Sequence, residues 1–393
     1  MTRPRVVVAG LGDTGLLTAI HLSRHCDVVG ISAKPGLVSG QELGNRITRP
    51  QSWAQDYWIS YDRYRRLDGA EVVHGVLRAA DLTARTVTVD TAAGDRRSLP
   101  YDVLVIATGV ANGFWRNAAL QSAEQVGLQL RATHDRLAAA GSLVVIGGGA
   151  AAVSAAANAA RTWPEKTVDL YFPGDRALAQ HHARAWRTIR ARLDELGVGL
   201  HAGHRAELPA DGDLEQVSTG PVRWTTGQEP VEADAVLWAV GRVRPHTGWL
   251  PTEVLDDRGF VVVGPDLRVA GHPDVFAIGD VAATDPLRSS ARNRADKLLA
   301  RNIRAHLAGR ALDTYRPPRV RWGSVLGIQP NGLQVFAPTG HAFRFPGWTV
   351  RSLLEALIVR RGIYRGVRPG PESVVPATAG PGQRLTREPD HRG

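Results

Sequence analysis

Two short glycine-rich segments carry the strongest chemical signal in the chain. Gly10-Leu11-Gly12-Asp13-Thr14-Gly15 follows the apolar run Val6-Val7-Val8-Ala9 directly, and Leu16, Leu17 and Ile20 return after it at helical spacing. A buried strand, a tight glycine turn and a helix in that order form a dinucleotide fingerprint. The first glycine makes the turn, the second lets a pyrophosphate approach the backbone, and the third lets helix pack on strand. The helix N-terminus adds unpaired N–H groups and a positive dipole. The pattern recurs: Leu143-Val144-Val145-Ile146 runs into Gly147-Gly148-Gly149-Ala150-Ala151-Ala152 and an alanine-rich stretch. This GxGxxA turn is an accepted variant, and two such turns imply two nucleotide-binding domains.

Positioning these turns requires parallel strands beside them, and three more segments have that shape. Tyr101 to Gly109 (YDVLVIATG) and Ala235 to Arg242 (AVLWAVGR) each end an apolar run on a small residue and glycine, and Val275 to Asp280 reads VFAIGD. The order of fingerprint, ATG strand, fingerprint, AVGR strand and FAIGD resembles the FAD/NAD(P)-dependent pyridine nucleotide oxidoreductases. Within them it resembles the branch of apoptosis-inducing-factor-like proteins and type II NADH:quinone oxidoreductases. The resemblance covers about Arg5 to Ile303. It implies an α/β fold with two doubly wound Rossmann-like domains. A discontinuous FAD domain would span 1–115 and 241–310, and an inserted NAD(P) domain 116–240. An α+β C-terminal region would follow over 311–368, and then a disordered tail over 369–393.

The resemblance also implies site residues. FAD falls to Gly10, Leu11, Gly12, Asp13, Thr14 and Gly15, with Thr108, Gly109, Gly279 and Asp280; Asp280 accepts from the ribitol, or caps a helix over 282–291. Arg46 matches an arginine that relatives direct at the FAD phosphates, with an ordinary surface arginine as its alternative. Lys297 matches a position near the flavin ring, with an exposed lysine as its alternative. NADH or NADPH falls to Gly147, Gly149, Ala152 and Gly241.

Departures from the pattern are specific. The strand Val28–Ile31 ends on Ser32, with Lys34 nearby, where relatives place a ribose-binding acid. After Val168–Tyr171 that acid's place is taken by Phe172, and Arg176 is the nearest cation. Without a carboxylate to repel a 2′-phosphate, NADH and NADPH are expected to differ by less than ~100-fold in kcat/KM. Ser154 stands where relatives carry a glutamate near the flavin.

Other chemistries are excluded. Cys26 is the single cysteine, so no intramolecular disulfide or CxxC pair exists, and no catalytic cysteine chemistry is expected. The FxGxxxH signature of flavin monooxygenases fails at Phe172-Pro173-Gly174, where Leu178 replaces the histidine. Hydrophobic residues at 43% suffice for large cores, and the net charge of +10 comes almost wholly from arginine, since only Lys34, Lys166 and Lys297 are lysines. No compact basic run of the nucleic-acid type occurs, so no specific nucleic-acid partner is expected. Uncharged Gly141–Ala160 has the length of a membrane span but reads as strand, glycine turn and helix.

The reaction implied is hydride transfer from nicotinamide to flavin, then electron transfer to a quinone-like acceptor, with no protein nucleophile. Two alternatives are an acidic, ferredoxin-type carrier protein as acceptor, and a flavin- or nucleotide-sensing protein of low turnover. Trp348 and the stripe Val350, Leu353, Leu354, Leu357 and Ile358, with Arg351, Arg360, Arg361, Arg365 and Arg368, suit an amphipathic helix. Such a helix lies on an anionic membrane, on the chain's own C-terminal region, or on the partner of a homodimer. The expected location is cytoplasmic, with the membrane face as its peripheral alternative. Trp53, Tyr57, Trp58, Phe114 and Trp115 read as core, with a wall on the flavin's substrate side as the alternative.

Overall fold

The structure, a computed structural model, describes residues 3–38, 43–111, 118–209, 214, 216–241, 243–284, 295–317 and 323–370. Phe114, Trp115, Arg242, the greater part of the expected 282–291 helix and the tail from 371 onward lie outside these. The first unit begins β1 (Arg5–Ala9), α1 (Asp13–Leu22), β2 (Asp27–Ser32), β3 (Gly36–Val38), α2 (Leu43–Thr48), α3 (Pro50–Tyr57) and β4 (Trp58–Ser60). It continues through β5 (Glu71–Asp81), β6 (Thr86–Thr91), β7 (Arg96–Pro100), β8 (Val103–Ile106) and β9 (Val110–Ala111). Then come α4 (Ala123–Ala139), β10 (Ser142–Ile146), α5 (Ala150–Thr162), β11 (Thr167–Tyr171), α6 (Ala183–Glu195), β12 (Gly199–His201) and β13 (Ala235–Trp238). The chain returns through β14 (Arg244–Pro245), β15 (Val275–Ala277) and α7 (Ala295–Leu307), and closes with β16 (Ile328–Gln329), β17 (Gly332–Phe336) and β18 (Ala342–Phe345).

Two separate sheets organise the fold. One has the order β15-β8-β1-β2-β5-β6-β7, parallel from β15 to β5 and antiparallel beyond; the other, β12-β11-β10-β13, is wholly parallel. In both, the strand before a glycine turn is central, flanked by the next strand and by the strand ending on the later glycine. Val6, Val7, Val8 and Ala9 are fully buried, as continuous apolar runs in doubly covered parallel strands must be. β15 joins the first sheet although it follows the whole second sheet in sequence, so the first unit is discontinuous. The short pair β9–β14 links the two excursions of the chain: Thr108 Oγ1 donates to the His246 carbonyl at 2.8 Å.

The units touch along a buried seam. Gly44 of α2 lies so close to α5 that a Cβ there would meet the Ser154 carbonyl at 2.3 Å. Asn158 Nδ2 donates to the carbonyls of Ser154 and Leu326, both at 2.9 Å, tying α5 to the segment that leads into β16–β18. Trp53 and Trp58 are buried against Val126 and Leu130 of α4, as expected of core aromatics.

The C-terminal helix differs from the expected α-helical stripe. Val350–Ile363 is bonded i→i+5, as where Tyr364 N donates to the Val359 carbonyl at 2.9 Å. That winding holds more residues per turn, so apolar side chains spaced for an α-helix spread round the axis. Val350 is buried, whereas Leu357 and Ile358 are about half exposed and Trp348 is 78% exposed. Among the described residues no helix is long and apolar enough to cross a membrane.

Candidate functional site

The C-terminal ends of β1, β2 and β8 open on a cavity of about 870 Å³, within the size range of cofactor sites. Gly10, Leu11, Gly12, Asp13 and Thr14 line it, together with Ser32, Lys34, Thr108, Gly109, Gly279 and Asp280. Gly10 has φ +101°, and a Cβ there would lie 2.5 Å from the Ala107 carbonyl oxygen, so only glycine makes this turn without strain. Gly12 caps α1 with no side-chain hydrogen bond, and a Cβ on it would meet open space. The first-turn N–H groups of α1 therefore carry no side-chain cap from this residue, as an approaching phosphate requires. Gly15 does not line the cavity; it packs against the Gly10 carbonyl and holds helix on strand.

Asp280 reaches this place through a tight turn. Gly279–Val281 forms one 3₁₀ turn after β15, and Gly279 lies against Thr14 of α1. Two segments 270 residues apart are thus brought to one cavity. At the other end, Ser32 Oγ lies 3.2 Å from Tyr61 OH, which donates to the Leu11 carbonyl at 2.8 Å, while the Lys34 N–H donates to Ser32 Oγ at 3.2 Å. Lys34 Nζ donates to the Ala119 carbonyl at 3.2 Å, and burial pulls its pKa down to about 8. Burial holds the Tyr61 phenol well above its ordinary range, so it stays a neutral donor. Tyr61, Arg78, Arg244 and Trp249 also line the cavity. No local pattern marks them, because long-range pairing such as β9 with β14 delivers Arg244. The dimensions, the α1 N-terminus and the hydroxyl, ammonium and carboxylate groups along the walls fit a phosphate-bridged dinucleotide cofactor.

The second turn repeats the first. Gly147 has φ +141°, a Cβ on it would lie 2.2 Å from the Ala239 carbonyl oxygen, and Gly149 caps α5 with open space beside it. Ala152 is fully buried, and Gly241 adopts φ +71°. Phe172, which takes the place of the missing acid after β11, is turned into the core. It is 3% exposed, lies in the core against Trp186 with centroids 6.0 Å apart, and sits beneath Gly148. Arg176 closes its own loop, donating to the carbonyls of Ala179 and His181 at 3.1–3.2 Å. Leu178 N pins the same loop to the Gly148 carbonyl at 2.7 Å.

Three further residues singled out in the sequence are placed as follows. Arg46 is 1% exposed, packs its guanidinium 4.6 Å from the Trp53 ring centroid, and is not among the residues lining the large cavity. Lys297 is exposed and lines a different, smaller cavity between α1 and α7. Ser154 is buried under α2, where it accepts from the Gly44 N–H at 3.3 Å. Cys26 is also buried, and burial raises its thiol pKa to about 11, which keeps it protonated and inert.

Comparison with known proteins agrees with this architecture. The family described as pyridine nucleotide-disulphide oxidoreductase matches residues 4–297. Oxidoreductase ptaL of Pestalotiopsis fici is 26% identical over 84% of this chain and 84% of its own length. Type II NADH:quinone oxidoreductase NdhA of Mycobacterium tuberculosis is 27% identical over 71% of this chain and 66% of its own. In fold, the chain is similar to reduced CoADR-RHD of Bacillus anthracis, with a TM-score of 0.64 and 16% identity over 85% of this chain; it spans only 61% of that protein.

Proposed function

The chain belongs to the pyridine nucleotide-disulphide oxidoreductase family, FAD- and NAD(P)H-binding oxidoreductases, and from that premise we propose that it oxidises NAD(P)H through bound FAD and passes the electrons to a quinone-like small acceptor. The observation that carries this reading is the pair of matching glycine turns in a chain with one buried, inert cysteine. Hydride acceptance is supplied, but the cysteine pair of a disulfide reductase is not, so electrons must leave to an external acceptor. The quinone class is favoured by similarity to the quinone oxidoreductase of M. tuberculosis.

In this reading the unit 1–115 with 241–310 holds FAD and the unit 116–240 holds NAD(P)H. The α1 N-terminus receives the FAD pyrophosphate, Ser32 and Lys34 face its adenosine half, and Asp280 accepts from a ribitol hydroxyl. Bound flavin supplies two-electron acceptance and one-electron release. The chain's own groups bind, orient and exclude water; Trp249, Val110 and Leu77 supply apolar wall. No carboxylate ends β11, so NADH and NADPH are both used, within ~100-fold of each other.

Anaerobic titration of the purified yellow protein with NADH and with NADPH tests the reading. Flavin bleaching with at least one supports it, and no bleaching with either rejects it, leaving the nucleotide sensor. Steady-state assays with short-chain quinone and with ferredoxin then separate acceptors. The net charge of +10 is the observation that favours an acidic carrier, and carrier reduction would fall steeply with ionic strength, unlike quinone reduction.

A further inference from the structure

The smaller cavity, of about 330 Å³, is lined by Arg24, Arg66, Lys297, Arg301, Arg304 and Arg365, with His21 and His25 and no carboxylate. Its cations come from four separate places: the end of α1, the 3₁₀ turn Arg65–Leu67, α7, and the residue beyond the C-terminal helix. Two nearby acids are taken up by lining residues: Asp296 is buried on His21 at 2.9 Å, and the Asp313 carboxylate pairs with Arg301 at 3.3 Å. Among the described residues, Arg24, Arg66, Lys297, Arg304 and Arg365 make no ion pair.

The placement is enforced rather than incidental. Arg365 is held at φ +55°, a conformation unfavourable for its side chain type, by Arg65 N donating to the Gly366 carbonyl and Gly366 N donating to the Arg360 carbonyl. Burial, then Arg24 and Arg365, push the Arg66 pKa down; burial, then Arg304 and Arg24, push that of His25 down. These groups sense one another's charge. The lining cations are mostly exposed, but they converge on one pocket from four segments; converging guanidinium forks match phosphate geometry, whereas a flat basic face would match an acidic protein.

We propose that this cavity is a second anion site, separate from the dinucleotide cavity, for a ligand bearing two or more phosphate groups. One phosphate would leave most of the five unpaired charges uncompensated, and the volume is at the small end for ligand sites, suited to a bisphosphate or a phosphorylated headgroup rather than a whole dinucleotide. Occupancy would bridge α1, α7 and the C-terminal segment. The idea does not depend on the electron acceptor.

Calorimetric titration of the holoenzyme with inorganic pyrophosphate at physiological ionic strength tests it, beside flotation on phosphatidylcholine vesicles with and without phosphatidylinositol 4-phosphate. Binding of pyrophosphate alone indicates a soluble ligand, and selective flotation with the phosphorylated lipid indicates a headgroup; either supports the site. The double variant Arg66→Ser, Arg304→Gln should weaken binding at least 10-fold while flavin content and NAD(P)H oxidation stay at wild-type values. Should that variant fold poorly, hydrogen exchange of wild type must show ligand-dependent protection over 65–67 and 295–307. Absence of binding to both probes, equal binding by the folded variant, binding matched by equimolar sulfate, or protection elsewhere would each overturn the proposal, as would capture of ferredoxin with no response to phosphate.

Discussion

Replacing Lys34 with methionine should move stability and cofactor affinity in opposite directions. The ammonium is held in a largely buried place at the end of β2, and burial alone lowers its pKa from 10.5 to about 8. A shift of that size corresponds to at most ~3.4 kcal/mol against the charged form at neutral pH. Because the side chain still opens on the cavity, and its bond to the Ala119 carbonyl is lost in the variant, a net gain of about 1 kcal/mol for the cofactor-free protein is the working figure. The sign with pH follows. A lysine whose folded pKa is depressed costs stability below that pKa, and the cost vanishes as pH rises toward the unfolded value. Lys34→Met should therefore raise the Tm of apoprotein at pH 7, with the difference from wild type closing between pH 8 and 10.5. Its affinity for FAD should fall about 10-fold or more, the worth of one charge-assisted hydrogen bond. Paired thermal scans of apoprotein and fluorescence titrations with FAD read both effects. A lower apoprotein Tm with unchanged FAD affinity would show that Lys34 is a strut on residue 119, and the reasoning would fail.

Gly147→Ala places a Cβ 2.2 Å from the Ala239 carbonyl at φ +141° and should cost about 3 kcal/mol or more in urea unfolding; Gly149→Ala, beside open space, should leave unfolding unchanged and weaken NAD(P)H binding instead. Phe172→Glu buries a carboxylate in the core beside Trp186 and should destabilise by several kcal/mol. Its raised folded pKa makes that loss grow as pH rises through the ordinary glutamate range, which thermal scans from pH 4 to 8 would show. Asn158→Ala removes the partner of the Leu326 carbonyl and of Arg161 Nη2, which donates to Asn158 Oδ1 at 2.9 Å; about 2 kcal/mol or more is expected, with hydrogen exchange rising first over 323–337.

Legibility in the sequence followed the range of the interactions. The glycine turns were readable because strand, turn and helix are contiguous, and a sterically required glycine leaves a mark at a fixed spacing. Asp280 was readable only through the family pattern, since nothing local tells that β15 joins the first sheet after an excursion through the second. Tyr61 and Arg244 were not readable at all. Each is positioned by a distant partner, Leu11 for one and the β9 pairing for the other. The C-terminal helix misled for a different reason: apolar spacing of three and four fits an α-helix, and the observed i→i+5 bonding separates those positions.

Side-chain direction was the other hidden variable, and the two nucleotide sites show what it decides. Both lack the acid that the resemblance places after the strand following the fingerprint, with a serine able to hydrogen-bond at one position and a phenylalanine at the other. In the structure they are opposite cases. Ser32 stays at the cavity, within reach of Tyr61 and backed by Lys34, so hydroxyl and ammonium groups replace a carboxylate where ligand would sit. Phe172 instead turns inward and fills volume beneath the second glycine turn, while Arg176 and Leu178 fasten the covering loop. The first site has exchanged one polar group for others; the second has exchanged recognition for packing. With Phe172 in the core and the Arg176 guanidinium spent on the carbonyls of Ala179 and His181, substituting Phe172 alone is expected not to create selectivity between NADH and NADPH, which paired kcat/KM measurements on the variant would check.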